Sequence, residues 1–156
     1  MSDYRTPGAA EAYDRYADML FRTAFSLLLN KQDAEDAVSD VFAKFISKPP
    51  VFKNSDHEKA WFLKVTVNTC HDRQRRRAVR SYTPLDEIAE IVAAEQKDTT
   101  VLDSVLALDE KYRICILLHY FEDFSIEQTA KILKITQSAV KMRLSRAREM
   151  LKSALS

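Results

Sequence analysis

Three groups of side chains have the types and spacing to do chemistry. Asp33, Glu35, Asp36 and Asp40 crowd eight consecutive positions. Carboxylates so clustered either bind Mg²⁺ or pair with a basic protein surface through charge-assisted hydrogen bonds. Arg73, Arg75, Arg76, Arg77 and Arg80 place five guanidinium groups in eight positions. That exceeds what a helix end favouring cations requires and suits a phosphate backbone. Lys141, Arg143, Arg146 and Arg148 form a second basic run. Two cysteines, Cys70 and Cys115, sit in apolar stretches without CxxC or zinc-finger spacing, although His71 and His119 lie near them. Buried thiols are the expectation there, with no metal and no cofactor.

A catalytic reading of the carboxylates needs acidic clusters on two facing helices around a metal-bound diphosphate. The preceding segment offers only Asp14 and Asp18, with no accompanying base or phosphate-binding cluster. A metal-dependent nucleotide hydrolase therefore stands as the weaker alternative, and no residue is assigned as catalytic. The only glycine is Gly8, which excludes a Gly-rich phosphate loop and a dinucleotide fingerprint. One glycine and four prolines are also too few for the turns of a sandwich or barrel. With 156 residues, 46% of them hydrophobic, the chain can build one core or two small ones. No apolar run reaches the roughly 18 to 20 residues of a membrane span. The acidic, polar start MSDYRTPGAAEAYDRYADML does not read as a secretory signal. A cytoplasmic protein without membrane insertion is expected.

Helical periodicity organises the rest. Tyr13, Tyr16, Ala17, Leu20, Phe21, Ala24 and Leu28 step by three or four, predicting a helix over about 11–29. Asn30–Lys31–Gln32 reads as a break with Asp33 as the next N-cap. Ala34, Ala37, Val38, Val41, Phe42 and Phe45 then form one stripe, ended by Pro49–Pro50. Ser55 and Glu58 read as a capping box opening a third helix through Trp61, Phe62, Val65 and Thr69 into the arginine run. The pattern weakens after residue 78 and returns near Val101, where Val101, Val105, Leu108, Tyr112 and Cys115 share a face thickened by Ile114 and 116–118. That helix is predicted to centre a second core. The expected fold is all-α: a helical bundle over 1–78, a flexible linker over 79–100 and a second helical domain over 101–156.

The stretch 124–151, FSIEQTAKILKITQSAVKMRLSRAREML, carries most information. Ser125 and Gln128 form a capping box for a short helix whose buried face is Ile126, Ala130 and Leu133. Lys134–Ile135 make the turn, with Lys134 supplying a geometry often left to glycine, and Thr136 caps the next helix. There Val140, Leu144, Ala147 and Leu151 face inward. Ser138, Lys141, Met142, Ser145, Arg146 and Glu149 occupy the opposite arc, flanked by Arg143 and Arg148. This is a helix-turn-helix, whose second helix enters the DNA major groove. Thr136, Gln137, Ser138 and Lys141 lie nearest the groove, the last three as base readers. Arg143, Arg146 and Arg148 are expected to meet phosphates. A helical hairpin with a solvated basic face is the bland alternative.

The segments DAEDAVSDVF (33–42), AWFLKVTVNTCHDRQRRR (60–77) and FSIEQTAKIL…ITQSAVKMRLSRAREML, in this order and spacing, resemble bacterial sigma-70 family RNA polymerase sigma factors of the extracytoplasmic-function (ECF) group. The resemblance implies a region 2-like first domain and a region 4-like second one, a promoter-specificity subunit and no enzyme activity. It implies that Asp33, Glu35, Asp36 and Asp40 dock on the clamp helices of the polymerase β′ subunit, and that the β flap is a further partner. It assigns the promoter −35 element to the second helix of the helix-turn-helix. The −10 element falls to Asn68, the 53–57 loop with Lys53 and Asn54, and Arg73, Arg75, Arg76, Arg77 and Arg80 along the phosphates. Trp61 either walls unstacked bases or packs in the core, with packing favoured. An anti-sigma factor is implied as a partner. A helix-turn-helix regulator acting without polymerase remains the rival reading.

The net charge of +1 conceals an ordered pattern. Residues 1–59 carry −2, residues 60–80 carry +5, residues 81–124 carry −7 and residues 125–156 carry +5. Two basic segments suited to DNA thus alternate with acidic ones suited to a basic protein partner.

Overall fold

The computed structural model describes residues 4–76 and 99–155. Among these, the elements are α1 (Ala9–Leu28), α2 (Lys31–Ser47), α3 (Ser55–Arg76), α4 (Thr99–Leu106), α5 (Glu110–Ile116), a π-helical turn (Leu117–Phe121), α6 (Ile126–Leu133) and α7 (Gln137–Leu155). The linker expected over 79–100 lies outside the described residues except for its last two, which already belong to α4.

Helices α1, α2 and α3 pack mutually around Phe62, which is fully buried. Tyr16 stacks on it at 4.7 Å between centroids, and Phe42 and Phe45 tilt against it. Burying one such ring stabilises the fold by about 1.5–3 kcal/mol, so this aromatic cluster fixes how α3 sits on the other two.

Two helix starts differ from the sequence reading. Asn30, not Asp33, caps α2: its side-chain oxygen accepts from the Asp33 N–H at 2.9 Å, so the helix begins before the expected break ends. At α3 the Ser55–Glu58 capping box does not form. Asn54 caps instead, its Oδ1 accepting from the His57 N–H at 2.8 Å and its carbonyl from the Glu58 N–H at 3.1 Å. Glu58 has turned inward and is fully buried. Tyr4 Oη (2.7 Å), Arg15 Nη1 (2.8 Å) and Tyr16 Oη all donate to its carboxylate. A carboxylate so satisfied has no reason to return to its own backbone.

The single helix expected from Val101 is divided. α4 stops at Leu106, and α5 starts only after Asp109, an extended N-cap residue. The Leu108 carbonyl, released from helical bonding, accepts from Arg113 Nη1 at 2.7 Å. The apolar run Ile114–Leu118, from α5 into the π-helical turn, is covered on two sides. Tyr112, Cys115 and Ile116 join Val105, Leu108, Ala130, Val140, Leu144 and Ala147 in one cluster. Ile114, Leu117 and Leu118, with Phe124 and Ile132, belong to the cluster of α1–α3. The second core therefore exists, but the element expected at its centre also joins it to the first.

A chain with one glycine must place ordinary residues in the left-handed region. Leu29 (φ 50°), Asp123 (φ 59°) and Lys134 (φ 59°) do this. The first and last terminate α1 and α6, their N–H groups bonding Phe25 and Ala130 carbonyls.

Candidate nucleic-acid interface

The helix-turn-helix is assembled as its sequence indicates. Ser125 Oγ accepts from the Gln128 N–H at 3.0 Å, and Gln128 Oε1 accepts from the Ser125 N–H at 2.9 Å. These bonds satisfy free donors at the start of α6. Lys134 turns the chain, Ile135 packs against the second core, and Thr136 Oγ1 accepts from the Ala139 N–H at 3.0 Å to start α7. Val140, Leu144 and Ala147 are buried, with Leu151 packed behind them. Thr136, Gln137, Ser138, Lys141, Met142, Ser145, Arg146 and Glu149 are exposed. The leading turns of α7 thus present an amide, a hydroxyl and an ammonium together, groups able to bond base edges.

The three arginines of α7 are not equivalent. Arg146 stands in solvent. Arg148 is exposed but donates to Tyr120 Oη at 2.7 Å, a partner that helical spacing could not reveal. Arg143 is half-buried against the Cys115 thiol. Burial pushes that thiol up from its ordinary range, and the adjacent guanidinium offsets part of the effect.

The second face lies on α3. At about 100° per residue, Trp61, Lys64, Asn68, Asp72 and Arg75 fall within one arc. Asn68 and Arg75 are exposed, while Trp61, Lys64 and Asp72 are half-buried. Lys64 was not singled out from the sequence, although it sits one turn before Asn68 on the same face. Trp61 packs as favoured: its ring lies 4.9 Å from that of Phe62 and about 6 Å from those of Phe45 and Phe52, and the residue is half-buried. The preceding loop is ordered by His57, whose Nδ1 accepts from the Lys53 N–H at 3.0 Å and whose ring edge meets Phe52. Lys53 and Asn54 are exposed, but the Asn54 carbonyl oxygen is committed to the cap.

The arginine run divides. Arg73 does not join the Asn68 face: it crosses to α2 and donates to Asp40 Oδ2 at 2.8 Å. Arg75 pairs with Asp72, and Arg76 is exposed. Arg77 and Arg80 lie outside the described residues. The acidic helix divides as well. Asp33, Asp36 and Asp40 share one arc of α2, while exposed Glu35 points about 100° away from Asp36 and about 140° away from Asp40. Asp36 accepts from Gln32 at 2.9 Å.

Cys70 and Cys115 are free and fully buried, and burial pushes the Cys70 thiol up to about 12. His119 Nδ1 lies 2.7 Å from the Phe124 carbonyl, and His71 faces Glu110 at 4.0 Å. Among the described residues no three His, Cys, Asp or Glu side chains converge on a point that could hold a metal ion. Among them, too, no helix is long and apolar enough to cross a membrane.

Comparison with known proteins identifies both units. Residues 12–80 match sigma-70 region 2, and residues 99–151 match sigma-70 region 4. RNA polymerase sigma factor SigV of Bacillus subtilis (strain 168) is 30% identical over 138 residues, covering 86% of this chain and 83% of that protein. The ECF RNA polymerase sigma factor SigW of the same organism is 26% identical over 164 residues, covering 94% and 88%. Among solved structures, the sigma factor RpoE in complex with the anti-sigma factor NepR, from Bartonella quintana, has the same fold. Its TM-score is 0.72 at 22% identity, covering 94% of this chain and 95% of that one. CnrH in complex with the cytosolic domain of CnrY aligns at TM-score 0.66 and 25% identity, covering 94% and 86%. With regions 2 and 4 present in order and a sigma factor as a relative over most of its length, the chain belongs to the sigma-70 family of RNA polymerase sigma factors, in the ECF group.

Proposed function

We propose that the chain directs core RNA polymerase to promoters carrying separate −35 and −10 elements. The observation that carries this reading is the pair of open polar faces, one at the start of α7 and one along α3. Gln137, Ser138 and Lys141 read base edges of the −35 element in the major groove, and Arg146 neutralises phosphate. Asn68, with Trp61 as a flat wall and Lys64 and Arg76 as nearby cations, receives non-template bases of the −10 element as they leave the stack. Capturing unstacked bases offsets part of the cost of unpairing. Lys53 and Asn54 border the same end of α3.

The carboxylates of α2 meet the β′ clamp helices, with Asp33, Asp36 and Asp40 acting as one face and Glu35 standing apart from it; the β flap meets the region 4 unit. Asp40 exchanges Arg73 for a partner cation when it docks. The protein acts in the cytoplasm as an initiation factor without catalysis of its own. By analogy with the NepR and CnrY complexes of its structural neighbours, an anti-sigma factor is a further partner.

Reconstitution with core polymerase on a genomic library of templates, followed by mapping of transcript starts, tests the reading. Shared sequence elements upstream of the starts are expected. Tight, specific binding to DNA fragments by the chain alone, with no directed transcription, would overturn it in favour of an independent regulator.

A further inference from the structure

The bonds that hold the loop before α3 in place also fix what it can offer to a ligand. The Lys53 N–H donates to His57 Nδ1 at 3.0 Å. A ring nitrogen that accepts carries no proton, so the imidazole proton sits on Nε2, and that nitrogen can only donate. Asn54 is constrained in the same sense. Its Oδ1 accepts from the His57 N–H at 2.8 Å, which leaves the Nδ2 amino group for an outside partner. Lys53 ends in an ammonium, a donor by nature. Phe52 anchors the loop from beneath. It is fully buried, and its ring lies 5.5 Å from that of His57 and 5.9 Å from that of Trp61, between centroids.

Position along the helix puts His57 on the face that carries Asn68. At about 100° per residue, Lys64, Asn68 and Arg75 fall within about 20° of it and Trp61 within about 40°. His57 is exposed and stands one turn, about 6 Å, before Trp61. The neighbouring acceptors are turned elsewhere. Exposed Asp56 and Ser55 point about 100° and about 160° away. Glu58, about 100° to the other side, is buried among Tyr4, Arg15 and Tyr16. Asp72, on the same stripe, lies about 22 Å further along and pairs with Arg75. The start of the stripe is therefore a surface of donors beside an aromatic ring.

Bases differ in what they set against such a surface. Guanine and thymine carry a keto oxygen where adenine and cytosine carry an amino group. Once a base has left the stack, those edges are open to side chains. A keto oxygen accepts from His57 Nε2, whereas an amino group brings a second donor against it and leaves both without a partner.

We propose that His57 reads a base of the −10 element: its Nε2–H donates to the keto oxygen of an unstacked guanine or thymine seated against Trp61, so that the 53–57 loop selects keto over amino bases at that position. The selection presupposes −10 recognition by α3, as proposed above. His57 serves twice, holding the loop through Nδ1 and reading through Nε2.

The test uses the full chain with core polymerase on templates pre-opened across the −10 element. At each position of that element the non-template strand carries guanine, thymine, adenine, cytosine or hypoxanthine opposite an unchanged template strand. Hypoxanthine keeps the keto oxygen of guanine without its amino group. At one position, wild type is expected to use guanine, thymine and hypoxanthine about threefold to tenfold better than adenine and cytosine, the worth of one hydrogen bond. His57→Asn keeps an acceptor near the place of Nδ1 for the Lys53 N–H, but its amide falls short of the place of Nε2. It should lose the keto preference there and nowhere else, with −35 preference and thermal unfolding as in wild type. His57→Gln carries to the place of Nε2 an amide that donates or accepts on rotation, so adenine and cytosine should then be used as well as guanine and thymine. A loop that had merely lost its order would not gain a new base. Equal use of keto and amino bases by wild type at every −10 position overturns the proposal, as does a keto preference that survives His57→Asn. If transcript starts map without any shared −10 element, the promoter reading itself falls. If a shared element is found and His57→Asn leaves its use unchanged, only the role of His57 falls.

Discussion

Arg15 of α1 holds the fully buried carboxylate of Glu58 at 2.8 Å, binding the start of α3 to the middle of the first helix. Tyr4 and Tyr16 donate to the same group, so Glu58 collects three partners at the base of the loop assigned to the −10 element. Removing Arg15 leaves a buried charge with its two hydroxyl donors only. Because the Arg15 side chain is 42% exposed, water softens the loss. Arg15→Ala is expected to destabilise the chain by about 1–2 kcal/mol, less than the roughly 3–5 kcal/mol of a fully buried pair. Chemical denaturation measures this. Arg15→Lys, which keeps a charge but not the guanidinium that spans Glu58 and Glu11, should fall between.

The helix-turn-helix depends on local bonds that can be removed singly. Ser125→Ala deletes half of the capping box and should cost about 1 kcal/mol. Lys134→Val places a β-branched side chain at φ 59° and should cost about 1–3 kcal/mol. Thermal unfolding followed by circular dichroism gives both values. Neither residue is assigned to a base, so any change in start-site choice beyond lost stability would count against the division of roles on α7.

Base readers and phosphate contacts separate by salt. Lys141→Ala is expected to lose about 1–3 kcal/mol of discrimination among −35 sequences. Arg146→Ala should weaken binding evenly across sequences and lower the slope of log affinity against log salt by about 1. Arg148→Ala should do less, since its guanidinium is already engaged by Tyr120. Salt titrations of the reconstituted holoenzyme on matched and mismatched promoters distinguish the three.

The buried thiols make the chain sensitive to alkali. Both cysteines have folded pKa values above their unfolded ones, chiefly through burial, with Cys70 pushed up to about 12 from 9.0. For a raised pKa the contribution to stability is complete below the unfolded value and is lost as pH climbs through the folded one. Stability should therefore show no loss from Cys70 below pH 9 and decline between 9 and 12, with Cys70→Ala reducing the slope. At neutral pH both thiols should react with a thiol reagent only at the rate of unfolding. Fast labelling of either would contradict the burial.

Much of the architecture was legible in the residues because it depends on neighbours three or four positions apart. The stripes of α1 and α2, the Ser125–Gln128 box, the Lys134 turn, the Thr136 cap and the inward arc of α7 are all of this kind. Charge order pointed to two basic segments for the same reason. Where a side chain had a choice between a local and a distant partner, the sequence could not decide. Glu58 offered a plausible capping box but is drawn into the Tyr4–Arg15–Tyr16 cluster, and Asn54 caps in its place. Arg73 reads as one of five equal cations until α2 brings Asp40 to it.

An all-helical chain, a helix-turn-helix near its end and a family resemblance could thus be read from the residues alone. Those are properties of periodicity, capping and order along the chain. The burial of α5 on two sides, and the service of its apolar run to two clusters at once, came from the packing of the helices. That packing also decided that Arg22 meets Glu122, 100 positions away. Such pairings follow from how the units pack, and no local spacing encodes them, because the entropy of closing a long loop is recovered only when the whole contact forms.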